Sequence, residues 1–193
     1  MSTDTLLHRA NALKLYGIIS HWDEVAQTSW IKDLITWEEE ERAERSRMRR
    51  LSNARIGRFK PLSDFDWSWP KMCDRELIEE CMRLEFIKDA RNIILSGPNG
   101  VGKSTIACNI VHQAVLQGET ALFVTAGDML NNLAAQDGDM ALRRRIKYYV
   151  QPQLLAIDEV GYLSFSNRHA DLLFQVISQR YQAKPTIITT NCQ

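Results

Sequence analysis

Four short apolar runs punctuate the second half of the chain, at residues 92–96, 120–125, 154–157 and 186–190. Stretches with helical spacing lie between them, at 103–116, 128–134, 140–150 and 169–181. Apolar runs of strand length alternating with helices predict a parallel sheet buried on both faces, the arrangement of an α/β domain. The first half of the chain reads differently. Leu6, Leu7, Ala10 and Leu13 sit at helical spacing, with Gly17 as the expected stop. Thr36-Trp37-Glu38-Glu39 has the form of a capping box and predicts a second helix from Thr36, acidic in its first turn and arginine-rich in its last turns, as the helix dipole favours. Pro61 and the aromatic stretch 63–70 break the periodicity and mark a linker. An amphipathic helix over 75–88 follows, its apolar face formed by Leu77, Ile78, Cys81, Met82 and Leu84. The expected division is a helical arm over 1–60, a linker and entry helix over 61–90, and an α/β core over 91–193.

Charge changes this picture in one respect. The 193 residues hold 24 Lys+Arg and 24 Asp+Glu, but the neutrality is an average. Residues 1–41 carry 3 basic and 8 acidic side chains, whereas residues 42–60 carry 8 basic ones against Glu44 alone. A polyanion would meet a concentrated cationic segment. No apolar run approaches the roughly 20 residues of a membrane helix, and the polar start is no signal peptide, so the expected compartment is the cytoplasm. Cys73, Cys81, Cys108 and Cys192 form no CxxC pair and have no nearby His pair, which predicts free buried thiols rather than zinc. The four histidines are scattered and suggest no site.

The first apolar run ends in Gly97-Pro98-Asn99-Gly100-Val101-Gly102-Lys103-Ser104, which satisfies G-x-x-x-x-G-K-[ST], and Thr105 next to it is a further candidate for nucleotide binding. Glycines let backbone N–H groups curl around phosphates, the Lys103 ammonium reaches the β and γ oxygens, and the Ser104 hydroxyl can ligate Mg²⁺. The following helix aims its N-terminal dipole at the same anion. The third run ends in Asp158 and Glu159. On a bare reading these are a solvated strand-end pair. Beside a phosphate loop they become a Mg²⁺ carboxylate (Asp158) and a base for the attacking water (Glu159), which favours hydrolysis over transfer to a metabolite. Asn191, at the tip of a strand expected between the other two motif strands, would either help position that water or serve only as a turn asparagine, and spacing alone does not decide between the two. The cofactors implied are ATP and Mg²⁺.

Other features remain open. Arg45, Arg49, Arg50, Arg55, Arg58 and Lys60 are either DNA contacts or a solvated face paired with Glu38–Glu41; Arg55, Arg58 and Lys60 lie beyond reach of those acids. Arg143, Arg144, Arg145 and Lys147, followed by two tyrosines, are either a second DNA contact or an ordinary basic face of an exposed helix. Phe65, Trp67 and Trp69 could line an adenine pocket or anchor the linker to the core.

Taken together, 97–104, 154–159 with Gly161-Tyr162-Leu163, Leu172-Leu173-Phe174-Gln175 with Arg180-Tyr181, and Thr189-Thr190-Asn191 resemble the IstB-type ATPases. These are AAA+ P-loop NTPases close to the DnaC helicase loader and encoded beside a transposase in bacterial insertion sequences. The charged helix and the Asp64-Phe65-Asp66 linker resemble the IstB arm. The resemblance implies subunits that assemble through their nucleotide sites into rings or filaments on double-stranded DNA and assist a cognate transposase; a DnaC-like helicase loader is the nearest alternative. By resemblance, Lys103, Ser104, Asp158, Glu159 and Asn191 take the Walker A, Walker B and sensor I roles, and the basic run 42–60 contacts phosphates. Chains of this type continue past the Thr-Thr-Asn signature into a fifth core strand, an arginine finger and lid helices, whereas this sequence stops at Gln193. The expectation is a fragment or a decayed gene product with an open sheet edge beside the phosphate-loop strand, for which ATP binding is better supported than turnover. A metabolite kinase and an inactive nucleotide-binding remnant are the remaining readings.

Overall fold

A computed structural model describes residues 3–70, 72–162 and 167–191. Leu163 of the family signature and Cys192 lie outside them. The chain forms two compact units, 1–49 and 50–193, with the boundary inside one helix.

In the first unit, α1 (Thr3–Ala12), α2 (Tyr16–Ser20), α3 (Trp22–Val25) and the start of α4 (Ile31–Ala54) enclose a small core of Leu6, Ala10, Leu13, Ile31 and Ile35. Two expectations fail here. Gly17 lies inside α2 rather than stopping α1; the reversal is made by Lys14 at φ +55°, after which the Leu15 N–H returns to the Ala10 carbonyl. The second helix begins at Ile31, not Thr36, because Ile31 and Ile35 occupy one buried face a turn apart. Thr36 is therefore mid-helix, and its hydroxyl accepts from Arg9 Nη2 at 3.0 Å instead of capping. Arg9 also pairs with Glu39 at 2.6 Å, and Arg42 Nη1 donates to the Leu13 carbonyl at 2.7 Å.

The second unit is built on four parallel strands, β1 (Ile93–Ser96), β2 (Ala121–Thr125), β3 (Leu154–Asp158) and β4 (Thr186–Thr190), in the order β1-β4-β3-β2. The alternation of side chains along a strand divides β3 between two cores. Leu154 and Ala156 join Ile106, Ile110, Val111 and Ala114 of α7 (Lys103–Leu116). Leu155 and Ile157 face Met129, Leu130 and Leu133 of α8 (Ala126–Ala134), Ile146 and Tyr149 of α9 (Asp139–Val150), and Leu172 and Val176 of α10 (Asn167–Arg180). Helices thus cover both faces, as expected. The strand and core-helix positions follow the sequence reading to within two residues at each end.

The entry helix does not run unbroken over 75–88. It divides into α5 (Arg75–Cys81) and α6 (Glu85–Lys88) at Leu84, whose φ of +64° turns the backbone left-handed so that Leu84, Phe86 and Ile87 can all reach the α7 core. In the sheet, β1 is an edge strand, with Ile94 67% exposed. No described helix is long and apolar enough to cross a membrane.

Candidate nucleotide site

The loop joining β1 to α7 takes its shape from glycines at two positions. Gly100 (φ +79°) and Gly102 (φ +91°) are left-handed, a backbone conformation that side chains disfavour. At Gly102 there is also no room, since a Cβ would lie 2.3 Å from the Phe65 ring. The linker therefore presses directly on the loop. It is pinned there by Asn109 of α7, whose Oδ1 accepts from Leu62 N–H at 2.9 Å and whose Nδ2 donates to the Lys60 carbonyl at 2.9 Å. Asn109 is buried on the helix face turned to the core.

Lys103 opens α7 and folds back over the loop, donating from Nζ to the Gly97 and Pro98 carbonyls at 2.7 Å each. Three protons on an ammonium leave one beyond these two bonds. Gly97 N–H in turn donates to the Thr190 carbonyl at 3.3 Å, fixing the loop to the end of β4. Pro98, Asn99 and Gly100 are exposed, and Val101, Ser104 and Thr105 half-buried, so the loop faces outward from a supported base.

Ser104 and Asp158, 54 positions apart, meet: Ser104 Oγ donates to Asp158 Oδ1 at 2.9 Å. Asp158 is only 5% exposed. Its Oδ1 also accepts from the hydroxyl of Thr189, a residue 1% exposed on the neighbouring strand. Thr189 Oγ1 accepts the Glu159 N–H at 2.9 Å. Glu159 itself is exposed at φ +61°, a left-handed conformation for a residue with a side chain, and the Thr189 bond holds its backbone there. Asn191 follows β4 at the same edge of the sheet, and β4 does lie between β1 and β3. An adjacent hydroxyl and carboxylate form an oxygen-only donor pair suited to a hard cation such as Mg²⁺. Among the described residues no group of three or more His, Cys, Asp or Glu could hold a metal.

A cavity of about 700 Å³ opens beside the loop, lined by Trp69, Pro70, Cys73, Ile78, Val101 and Ile106 among others. The three linker aromatics therefore take different places. Phe65 and Trp67 pack edge-to-face at 4.8 Å and join the core, with the Arg75 guanidinium 4.9 Å from the Trp67 ring centroid. Trp69 borders the cavity. Cys73, Cys81 and Cys108 are free and half-buried rather than fully buried. Burial, and secondarily the charge of Asp158, pushes the Cys108 thiol up to about 11, which favours the neutral thiol at neutral pH.

The basic residues are dispersed. Arg45 is exposed and paired with Glu41 at 3.2 Å, and Arg42 pairs with Glu38 at 2.6 Å. Arg49, Arg55, Arg58, Lys60, Arg143, Arg144 and Lys147 are exposed, while Arg50 and Arg145 are half-buried. Three structurally consequential residues escape sequence reasoning: Thr189, Asn109 and Arg180. Thr189 and Arg180 lie within quoted signatures, but nothing in the pattern indicates what they bond.

The family described as IstB-like ATP binding protein matches residues 4–193. An ATP-binding protein named for insertion sequence IS5376 of Geobacillus stearothermophilus is 37% identical over 132 residues, 68% of this chain and 53% of that relative. The chain thus spans about half the length of that relative. An insertion-sequence ATP-binding protein of Mycobacterium tuberculosis is 30% identical over 96% of this chain and 78% of its own. Among solved structures, the DnaC helicase loader superposes with a TM-score of 0.55 at 22% identity, covering 73% of this chain and 78% of that one. The parallel sheet with its β1–α7 phosphate loop is a P-loop core of the AAA+ type, and the chain belongs to the IstB-like ATP-binding protein family.

Proposed function

We propose that this protein binds and hydrolyses ATP through the β1–α7 loop, and uses that cycle to assemble on double-stranded DNA and assist a transposase in insertion-sequence transposition in the cytoplasm. The observation that carries the nucleotide part is the meeting of Ser104 with Asp158, which brings the phosphate-loop hydroxyl and the strand-end carboxylate to one point. In this reading residues 97–105 cradle the triphosphate, their N–H groups and the α7 N-terminus facing its oxygens. The remaining Lys103 proton contacts the β and γ oxygens. Ser104 and Asp158 would hold Mg²⁺, whose charge would offset that of the phosphates. Glu159 takes a proton from water as its oxygen attacks the γ-phosphorus; the bond from that phosphorus to the bridging oxygen breaks, leaving ADP and phosphate. Asn191 orients the water. The cavity bordered by Trp69 has the apolar walls a base requires.

The functional division follows the sequence reading: 1–60 as an arm for DNA, 61–90 as the linker, 91–193 as the ATPase core. Self-assembly through the nucleotide sites and the transposase partner are supported by family membership and by the insertion-sequence names of the relatives. The helicase-loader alternative is supported by fold alone.

Titration of a fluorescent ATP analogue, followed by phosphate release with and without duplex DNA, tests the proposal. Lys103→Ala is expected to weaken analogue binding by at least tenfold, the range for losing a charge-assisted hydrogen bond. Equal binding by wild type and Lys103→Ala would remove the loop from the reading. Capture of a replicative helicase in place of a transposase would decide for the loader.

A further inference from the structure

Arg50 and Arg55 of the first basic segment meet Tyr148, nearly a hundred positions on and next to the second, at one cleft. It measures about 760 Å³ and is lined by Arg50, Ser52, Asn53 and Arg55 from the end of α4 and the turn after it, by 120–122 at the start of β2, and by Tyr148, Gln151 and Pro152 at the end of α9. All strands are parallel, so the start of β2 lies at the opposite end of the strands from the phosphate loop and Asp158. The separation is about 15 Å along a five-residue strand. The cleft is thus distinct from the nucleotide site.

We propose that this cleft grips consecutive phosphates of a DNA strand. Two arginines and a ring of neutral hydrogen-bonding groups line it, and among the described residues no carboxylate does. The Tyr148 ring holds two guanidiniums in place: the Arg55 carbon lies 5.7 Å from its centroid and the Arg145 carbon 4.6 Å. Stacking an arginine on a ring leaves its N–H groups in the guanidinium plane, where they match phosphate oxygens two at a time. Arg145 is oriented further by its Nε–H bond to Asn132 Oδ1. The carbonyl end of α9 would repel an anion, but that end is already covered. Arg180 Nη1 takes the Val150 and Pro152 carbonyls at 3.0 and 2.8 Å, and Lys184 Nζ takes Val150 and Gln151. Arg55 itself sits at φ +54°, a left-handed position that ends α4 and directs the chain past the cleft.

The inference rests on the DNA-binding part of the proposed function and locates it. Fluorescence anisotropy with a labelled 20-base-pair duplex, repeated over a salt series, tests it on the full chain. Arg55→Asn removes the charge while suiting the left-handed backbone, and Tyr148→Leu removes the ring. Arg55→Asn is expected to weaken binding about tenfold and to lower the salt slope by about one, as for a lost phosphate contact. Tyr148→Leu should weaken binding in the same direction, with Tyr148→Phe restoring it. Arg83→Gln, an exposed charge outside the cleft, and ATP-analogue affinity should stay at wild-type values in both cases. Wild-type DNA binding with unchanged affinity and slope in Arg55→Asn would overturn the cleft and leave the DNA reading standing. Absence of DNA binding by the wild type would overturn both.

Discussion

Thr189 stands between Asp158 and Glu159: its hydroxyl donates to Asp158 Oδ1 while accepting the Glu159 N–H at 2.9 Å. One side chain on β4 thereby sets both the carboxylate that faces Ser104 and the backbone from which the exposed glutamate projects. The two acidic neighbours have different roles to fill, and their environments already differ. Asp158 is enclosed by hydroxyl donors and Glu159 is open to solvent. The adjacency of β3 and β4 supplies this, since Ala156 and Ile157 pair with Ile187 and Ile188 just before the motif ends.

Replacing Thr189 by Val keeps the shape and removes the hydroxyl. The Glu159 N–H loses its acceptor and Asp158 loses a donor, each loss costing about 1–3 kcal/mol if left unmet. The expected result is weaker Mg²⁺ dependence of ATP-analogue binding, with metal-free binding unchanged and recovery in Thr189→Ser. A melting-temperature drop alone, with the Mg²⁺ dependence intact, would confine Thr189 to a structural role.

Much of the core was legible because its signals are local. Strand runs, the loop glycines and the strand-end carboxylates each follow from a few consecutive residues, and the structure puts β4 between β1 and β3 as the sequence reading required. The failures share a different cause. Thr36 has a capping residue's neighbours, but the burial of Ile31 and Ile35 starts the helix earlier. Leu84 belongs to an apolar helical pattern, yet packing against α7 breaks the helix there. The convergence of Arg55 with Tyr148 and the bonds of Asn109 and Thr189 depend on residues brought together only by the fold. No spacing rule encodes them.

Gly102→Ala should be costly for two separable reasons. Its φ of +91° adds roughly 1–2 kcal/mol for a residue with a Cβ, and the contact at 2.3 Å with the Phe65 ring adds overpacking of about 1–3 kcal/mol. Thermal unfolding should show a loss of roughly 5–15 °C. The double variant Gly102→Ala/Phe65→Leu should recover the steric share and leave the backbone share. Full recovery would mean that the left-handed turn is of no consequence; none would mean that Phe65 moves aside freely.

Acid should loosen the first unit through one pair. The Arg9 hydrogen bond is the main cause holding the Glu39 carboxyl below its ordinary value of 4.5, with burial acting against it. A carboxyl depressed in the folded state contributes stability that is present above its unfolded value and is lost as pH falls through the folded one. Both side chains are partly open to solvent, so the contribution is small and weakens with salt. Hydrogen exchange in α1 should accelerate below about pH 4.5. Glu39→Gln should exchange faster at neutral pH and lose that step; an unchanged step would place the acid sensitivity elsewhere.

Arg180 is among the largest fully buried side chains of the described residues. It is 1% exposed and no carboxylate pairs with it in the described residues. Its guanidinium instead donates to Thr186 Oγ1 at 3.0 Å and to the carbonyls of Tyr149, Val150, Pro152, Gln153 and Pro185, gathering the end of α9 and the starts of β3 and β4. Burial lowers its pKa to about 10, still far above neutrality, so the group is charged in the fold. Arg180→Met keeps the apolar stem and strips every donor, leaving several buried carbonyls without a partner at about 1–3 kcal/mol each. The loss should exceed 3 kcal/mol, either preventing accumulation of folded protein or lowering the melting temperature by 10 °C or more. Thr186→Val, which removes one of these bonds, should cost only about 1 kcal/mol. Arg180→Lys restores the charge but cannot span both strands and the helix end with three protons, so it should stay closer to Met than to wild type. Near-wild-type stability of Arg180→Lys would show that charge near the α9 terminus, rather than the fan of hydrogen bonds, holds this edge of the sheet together.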